Sequence, residues 1–96
     1  MKGTAHFVSW KESVTPEQLA RAKADWSALW ARIPGFIATC WGPILSPNET
    51  GYTDCIVTIA SGPEVFDAFA NHPDHVPLES MILPMIEKAQ FVYIET

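Results

Sequence analysis

Two histidines and an aspartate surround a proline in the segment His72-Pro73-Asp74-His75, the stretch of the chain that is richest in potential chemistry. Histidine is the side chain whose ordinary pKa lies close to neutral pH, so it can both accept and donate a proton there. The ring of Pro73 fixes the backbone between the two histidines and can hold their side chains in set directions. The segment is a candidate for acid–base chemistry, and a turn that caps a helix is the simpler interpretation.

His75 is the candidate general base, because a neutral imidazole in an enclosed site can take a proton from a carbon acid or a phenol. Asp54 is a candidate partner, since a carboxylate on the cavity face of a strand needs a positive group, which His75 or His6 could supply. Glu79, one helical turn after His75, is a weaker candidate for the same role. The structural alternatives are a backbone contact for His75, a solvated strand end for Asp54 and a core position for His6.

Alternating and β-branched residues predict the strands that must position these groups. They lie at residues 4–11, 36–41, 52–60 and 90–95. Residues 42–51, with two prolines, predict a loop between the second and third strands.

The helices are predicted from capping residues and from apolar spacing. Thr15 and Gln18 form a capping-box pattern around Pro16, and the helix they begin extends to about residue 32. Further helical segments follow at residues 61–70 and 76–88, the last interrupted by Pro84. The order β-α-β-β-α-β predicts one ferredoxin-like α+β domain over residues 1–96.

Helices on one side of such a sheet leave its other side uncovered. We expect that side to be apolar and to carry Val8, Trp10, Ile56, Phe91 and Tyr93. The chain is 48% hydrophobic, so a second copy packed face to face is the simplest way to bury this surface. The sequence therefore predicts a homodimer.

Composition excludes several classes of partner. The formal charge of −5 and the lack of a basic cluster argue against nucleic acid and anionic membranes. No apolar run approaches the ~18 residues of a membrane span, and the first residues lack the apolar core of a signal peptide. Cys40 and Cys55 have no metal-ligand spacing and are typical of free thiols in a reducing compartment. We expect a cytoplasmic protein with no metal and no cofactor.

The chain resembles the stress-responsive dimeric α/β-barrel (Dabb) family over nearly its whole length. The resemblance is carried by Trp10-Lys11, Val14-Thr15-Pro16-Glu17-Gln18, Ile33-Pro34-Gly35, Gly51-Tyr52-Thr53 and His72-Pro73-Asp74-His75. It implies the same fold and a barrel built from two ferredoxin-like sheets.

Within that family the chain is similar to the olivetolic acid cyclase-type polyketide cyclases, which catalyse an aldol ring closure without a cofactor. The resemblance implies that His75 is the base. It aligns Phe69 with an assisting tyrosine of those cyclases, Asp54 with a further pocket histidine and Thr4 with a histidine of the first strand. His6 faces the same way as Thr4, one pleat further along the strand.

The resemblance also implies a pocket between the sheet and the helices. The expected lining is apolar: Trp26, Leu29, Trp30, Ile56, Phe69, Leu78, Ile86 and Phe91. Core packing is the alternative for the tryptophans. Tyr93, Thr39 or Tyr52 could supply the hydroxyl that Phe69 lacks.

These observations predict a cofactor-independent enzyme, a cyclase, isomerase or lyase, in which His75 moves a proton. Its substrate would be a hydrophobic aromatic or polyketide-like small molecule held in the pocket. The alternative is a non-catalytic, stress-responsive barrel that binds a small ligand. A cofactor-free monooxygenase is the third hypothesis, because related ferredoxin-like dimeric barrels carry out that chemistry.

Overall fold

Four antiparallel strands carry three helices in the computed structural model, which describes residues 1–46 and 49–96. The strands are β1 (Lys2–Trp10), β2 (Phe36–Pro43), β3 (Asp54–Ala60) and β4 (Ile86–Glu95). The helices are α1 (Pro16–Ala31), α2 (Pro63–Ala70) and α3 (His75–Ile82), and a 3-10 turn at Leu83–Met85 follows α3. The sheet order β2-β3-β1-β4 confirms the predicted ferredoxin-like α+β fold. Within these residues no helix is long and apolar enough to cross a membrane.

The first helix begins as the sequence predicts. The backbone N–H of Gln18 donates to Thr15 Oγ1 (3.2 Å), and the backbone N–H of Thr15 donates to Gln18 Oε1 (2.8 Å). Both halves of the capping box are therefore formed. The buried side of α1 consists of Ala22, Leu29 and Trp30.

The segment after α3 differs from the prediction. The helix predicted over residues 76–88 ends at Ile82, and β4 begins at Ile86. Pro84 has no backbone N–H to continue the helical hydrogen bonds, so the chain passes through the 3-10 turn instead. Strand β1 pairs with β4 as far as Trp10, which lies opposite Ile86. The residues from Ile86 onward therefore belong to the sheet.

The loop predicted over residues 42–51 begins later than expected. Gly42 and Pro43 still pair with β3 and belong to β2. Pro47 and Asn48 lie outside the described residues.

The strand register determines which side chains face the helices. Val8 and Ile56 are 1% and 4% exposed and belong to the core beneath the helices. Trp10 packs against that core, and Phe91 and Tyr93 face the same side. The prediction that these five residues lie on the uncovered side is therefore wrong. The prediction separated the two faces of the sheet correctly but assigned the wrong face to the helices. The large side chains of these residues fill the space under the helices.

The other side of the sheet, which we call the open sheet face, is also apolar. Val57, Val92 and Ile94 are 39%, 38% and 62% exposed there. The register places further small and apolar residues beside them: Ala5, Phe7, Ala38, Cys40, Cys55 and Ile59. No helix of the described chain covers this face.

Gly35 offers a test of the turn between α1 and β2. Its φ is +87°, and a Cβ would lie 2.6 Å from Val65 Cγ2 and 2.7 Å from Ser61 Oγ. Gly35→Ala should therefore lower the free energy of unfolding by about 2 kcal/mol or more, measured by urea denaturation. Gly42→Ala is the control, because a Cβ there meets nothing within 4 Å. Equal losses in the two variants would contradict this account of the turn.

Candidate functional site

A cavity of about 460 Å³ lies between the sheet and the helices, a volume suited to a small organic molecule. The sheet contributes Thr4, His6, Val8, Ile56, Phe91 and Tyr93 to its lining. Helices α1 and α2 contribute Trp26, Trp30, Phe66, Asp67, Phe69 and Ala70. Helix α3 contributes His75, Leu78, Glu79 and Ile82, and the chain that follows it contributes Leu83 and the first residue of β4, Ile86. The walls are thus mainly apolar, with a few titratable groups among them.

Aromatic rings fix the helix side of the cavity. Trp30 stacks on Phe69 with ring centroids 4.0 Å apart and planes 5° apart. Trp26 meets the edge of Phe69 at 5.3 Å, and its indole Nε1–H donates to Thr39 Oγ1 at 3.4 Å. Thr39 also contacts the hydroxyl of Thr58 at 3.1 Å. These contacts hold the two tryptophans in place before any ligand arrives.

The turn between α2 and α3 holds His75 at the first position of α3. His72 Nδ1 accepts a hydrogen bond from the backbone N–H of Asp74 (3.1 Å), and His72 O accepts one from the backbone N–H of His75 (3.0 Å). Arg32, at the end of α1, forms a 3.0 Å salt bridge with Asp74. His72 thus organises the turn, and Arg32 ties the turn to α1.

The partner of His75 is Glu79. His75 Nε2 lies 3.5 Å from Glu79 Oε2, and both residues line the cavity. The ring of His75 also meets Phe69 edge-on, with centroids 4.9 Å apart. When the imidazole gains a proton, its charge lies against a carboxylate. The side chain of His75 is 23% exposed, so it remains partly accessible.

His6 lies on the sheet wall in different surroundings. Its Nε2 atom is buried and has no hydrogen-bond partner among the described residues. Its ring packs on Phe91 at 4.5 Å and faces Trp26 and Tyr93 at 6.1 Å each. Desolvation by burial lowers the pKa of His6, so the side chain is neutral at neutral pH.

Asp54, the other predicted acid–base residue, does not line the cavity. It opens β3 opposite Val8, at the end of the strand where the stacked rings of Trp10 and Trp41 lie. Trp41 and Trp10 lie at the register positions on either side of Asp54, and their rings fill the space under the helices there. The expectation that Asp54 faces the cavity beside a histidine is not met.

The predicted apolar lining lies in the cavity except at Leu29. Leu29 is 1% exposed and belongs to the core, on a neighbouring side of α1. Of the three candidate hydroxyl donors, Tyr93 lines the cavity and Thr39 instead supports Trp26. Tyr52 does not belong to the lining.

Some lining residues were not identified as pocket candidates. Phe66 and Asp67 follow from the helical spacing of α2, where positions three and four apart share a face with Phe69 and Ala70. Glu79 was named only as the weaker partner of His75, although their spacing of four residues is what brings the two together.

The described residues form no cluster of three His, Cys, Asp or Glu side chains that could hold one metal ion. Cys40 and Cys55 are free thiols on the open sheet face, outside the cavity lining. Burial raises the pKa of the Cys55 thiol, and the nearby Cys40 adds to the shift. The titratable groups that can act on a ligand are therefore those of the cavity.

The fold is that of a known protein family. The sequence profile of the stress-responsive A/B barrel domain (Dabb) matches residues 5–95, so the chain belongs to that family. A comparison with the curated proteins finds no match to this chain.

Solved structures with the same fold include enzymes. A dimeric ferredoxin-like protein of unknown function from Thermobifida fusca YX is 26% identical (99% of this chain, 90% of that chain, TM-score 0.81). Hydroxynitrile lyase from Passiflora edulis is 20% identical (97% and 90%, TM-score 0.86). SnoaB, a cofactor-independent oxygenase from Streptomyces nogalater, is 14% identical (99% and 90%, TM-score 0.75). At these identities the two enzymes establish a shared fold only.

The burial of His6 predicts a pH dependence of stability. Because its pKa is lowered in the folded state, the unfolded chain takes up this proton first as the pH falls through about 6.5. As the pH is lowered through that range, the free energy of unfolding should therefore decrease. The decrease should stop once the pH is below the lowered pKa of His6 in the folded protein. His6→Phe should remove this part of the loss, measured by urea unfolding between about pH 5 and about pH 8.

His72→Asn is the control, since it removes a histidine outside the cavity and retains an acceptor for the Asp74 N–H. If it removes the same part of the slope as His6→Phe, the assignment to His6 is wrong.

Proposed function

We propose that this protein is a cofactor-independent acid–base enzyme, a lyase, cyclase or isomerase, acting on a hydrophobic aromatic or polyketide-like small molecule. The observation that carries the proposal is an apolar cavity with a histidine on each of two walls, His75 on the helix side and His6 on the sheet side. A carboxylate, Glu79, lies beside the first, and aromatic rings surround the second. Two histidines in such different environments can take different roles in one reaction.

His75 acts as the base. Its side chain is 23% exposed, and it takes a proton from a hydroxyl or an acidic carbon of the bound substrate. The charge that appears on the imidazole is balanced by Glu79 at 3.5 Å. Glu79 thus takes the place that the sequence had assigned first to Asp54, and the proton can be returned to the leaving group or product.

His6 acts as a neutral hydrogen-bonding group. Its buried Nε2 has no partner among the described residues, so a hydrogen bond with a substrate oxygen would satisfy it. If Nε2 carries the hydrogen, it stabilises negative charge that develops on that oxygen. Low solvent access strengthens the interaction.

The cleavage of a hydroxynitrile is one lyase reaction that these residues could carry out. His75 removes the hydroxyl proton of a hydroxynitrile, the carbonyl double bond forms, and the carbon–carbon bond to the nitrile breaks. Cyanide leaves with the bonding electrons and receives the proton from His75. The hydroxynitrile lyase with a TM-score of 0.86 supports the choice of this reaction as the first to test.

We also propose that the protein is a homodimer that pairs through the open sheet face. Val57, Val92 and Ile94 form an exposed apolar surface at its centre and edge. Contiguous surfaces of this kind mark interfaces in soluble proteins. The protein from Thermobifida fusca with the same fold is dimeric, which supports the same assembly here.

The role of His75 is tested by turnover of an aromatic hydroxynitrile, followed as aldehyde formation. His75→Gln should lower the rate by roughly 100-fold or more, because it removes the base, while the thermal unfolding temperature stays close to that of the wild type. Glu79→Gln should cause a smaller loss. Glu87→Gln is the matched control, since Glu87 is exposed on β4 and outside the cavity lining.

Unchanged turnover in His75→Gln would rule out this residue as the base. Consumption of oxygen with phenolic substrates would favour the monooxygenase hypothesis instead. Ligand binding without turnover of hydroxynitriles, polyketide-like substrates or phenols would favour the non-catalytic barrel.

The dimer is tested by sedimentation equilibrium at micromolar concentration. Val57→Glu buries a charge in the proposed interface and should give a monomer or an aggregating protein. Val76→Glu places the same change on α3, where the side chain is 66% exposed and away from the sheet, and should leave the dimer intact. A wild-type protein that sediments as a stable folded monomer would contradict the assembly.

A further inference from the structure

We propose that the cavity selects neutral molecules that carry a hydroxyl or carbonyl oxygen and excludes carboxylates of the same size. The inference rests on the proposed function in taking this cavity as the substrate site, and it names the substrate class of that site.

The fixed charges of the cavity are negative. The carboxylates among its described lining residues are those of Asp67 and Glu79, and both residues are exposed to solvent. No described lining residue is a lysine or an arginine. A carboxylate that enters the apolar interior loses its water and finds no fixed cation in return. The two acidic side chains add repulsion of the same sign. A neutral ligand meets neither obstacle.

The two histidines do not reverse this balance. A positive charge on His75 is already matched by Glu79, 3.5 Å away. His6 is kept neutral by its burial among aromatic rings. Tyr93, the remaining titratable residue of the lining, contributes no positive charge in any state.

Lys2 is a cation that lies close to the lining. Its Nζ lies over the rings of Phe66 and Tyr93, at 5.1 and 5.4 Å from their centroids, and the residue pairs with Glu95 across the strands. The ammonium thus contacts two rings whose residues line the cavity, while Lys2 itself is not part of the lining. The ammonium charge of Lys2 therefore already faces two aromatic rings through cation–π contacts.

Buried ring nitrogens without partners favour an oxygen on the neutral ligand, a hydroxyl being able to donate or accept. His6 Nε2 and Trp30 Nε1 are buried without hydrogen-bond partners among the described residues, and both residues line the cavity. One or two such groups can satisfy a hydroxyl or a carbonyl, and leaving them unpaired is costly. They do not replace the cation that a buried carboxylate requires.

The experiment compares 2-naphthalenemethanol with 2-naphthoate by isothermal titration calorimetry at neutral pH, where the acid is ionised. The alcohol should bind at least about tenfold more tightly than the carboxylate. His6→Phe should weaken binding of the alcohol several-fold, and His72→Asn, outside the lining, should not. Lys2→Met should leave the affinity for the alcohol unchanged.

Equal affinities for the two compounds in the wild type would overturn the inference, and so would tight 2-naphthoate binding that is lost in Lys2→Met. Binding of neither compound would remove the cavity as a ligand site and overturn the proposed function as well. Selective binding of the alcohol, with turnover that does not depend on His75, would support the inference and contradict only the proposed function.

Discussion

The stack of Trp30 on Phe69, with planes 5° apart at 4.0 Å, is the contact on which the rest of the site depends. It joins α1 to α2 on the helix side of the cavity, and both rings belong to residues that line it. Phe69 also meets the ring of His75, which links the stack to the first residue of α3. At the position where the family resemblance expects a tyrosine, this chain has a ring whose face is covered by Trp30. Position 69 therefore serves packing, and the polar chemistry must come from other residues.

Local sequence signals predicted the local structure well. Thr15 and Gln18 specify their capping box through residues three apart, so the start of α1 needs no tertiary information. The strands were recognised for the same reason, from alternation. Which side of the sheet met the helices was not recognised, because Val8 and Ile56 alternate with Phe7 and Val57 and both sets are apolar. When both faces are apolar, alternation specifies two faces without specifying which is inside.

The candidate site shows the same division between local and tertiary information. Glu79 meets His75 because residues four apart share a helix face, and this spacing is visible in the sequence. Asp54 was expected on the cavity side, and its strand position does turn it to the helix side of the sheet. Its place beneath the Trp10–Trp41 stack depends on the register of three strands, which no local pattern supplies. The family resemblance identified His75 as a candidate because this residue belongs to a short continuous segment, His72–His75, that can be recognised in the sequence.

The position of His6 changes how a substrate would lie in the proposed enzyme. The family resemblance aligns Thr4 with a first-strand histidine, and Thr4 lies beside Thr58 and Tyr93 on the neighbouring strands. His6 belongs to the next row on the same side, beside Ile56 and Phe91. Two residues along a strand correspond to about 7 Å, so an oxygen bound to His6 lies that much further toward Val8. The base on α3 comes from a separate element and does not shift with it. In the proposed enzyme the reacting oxygen and the base would therefore be arranged differently than in a relative with a histidine at the first position, and a different substrate geometry would follow from that single displacement.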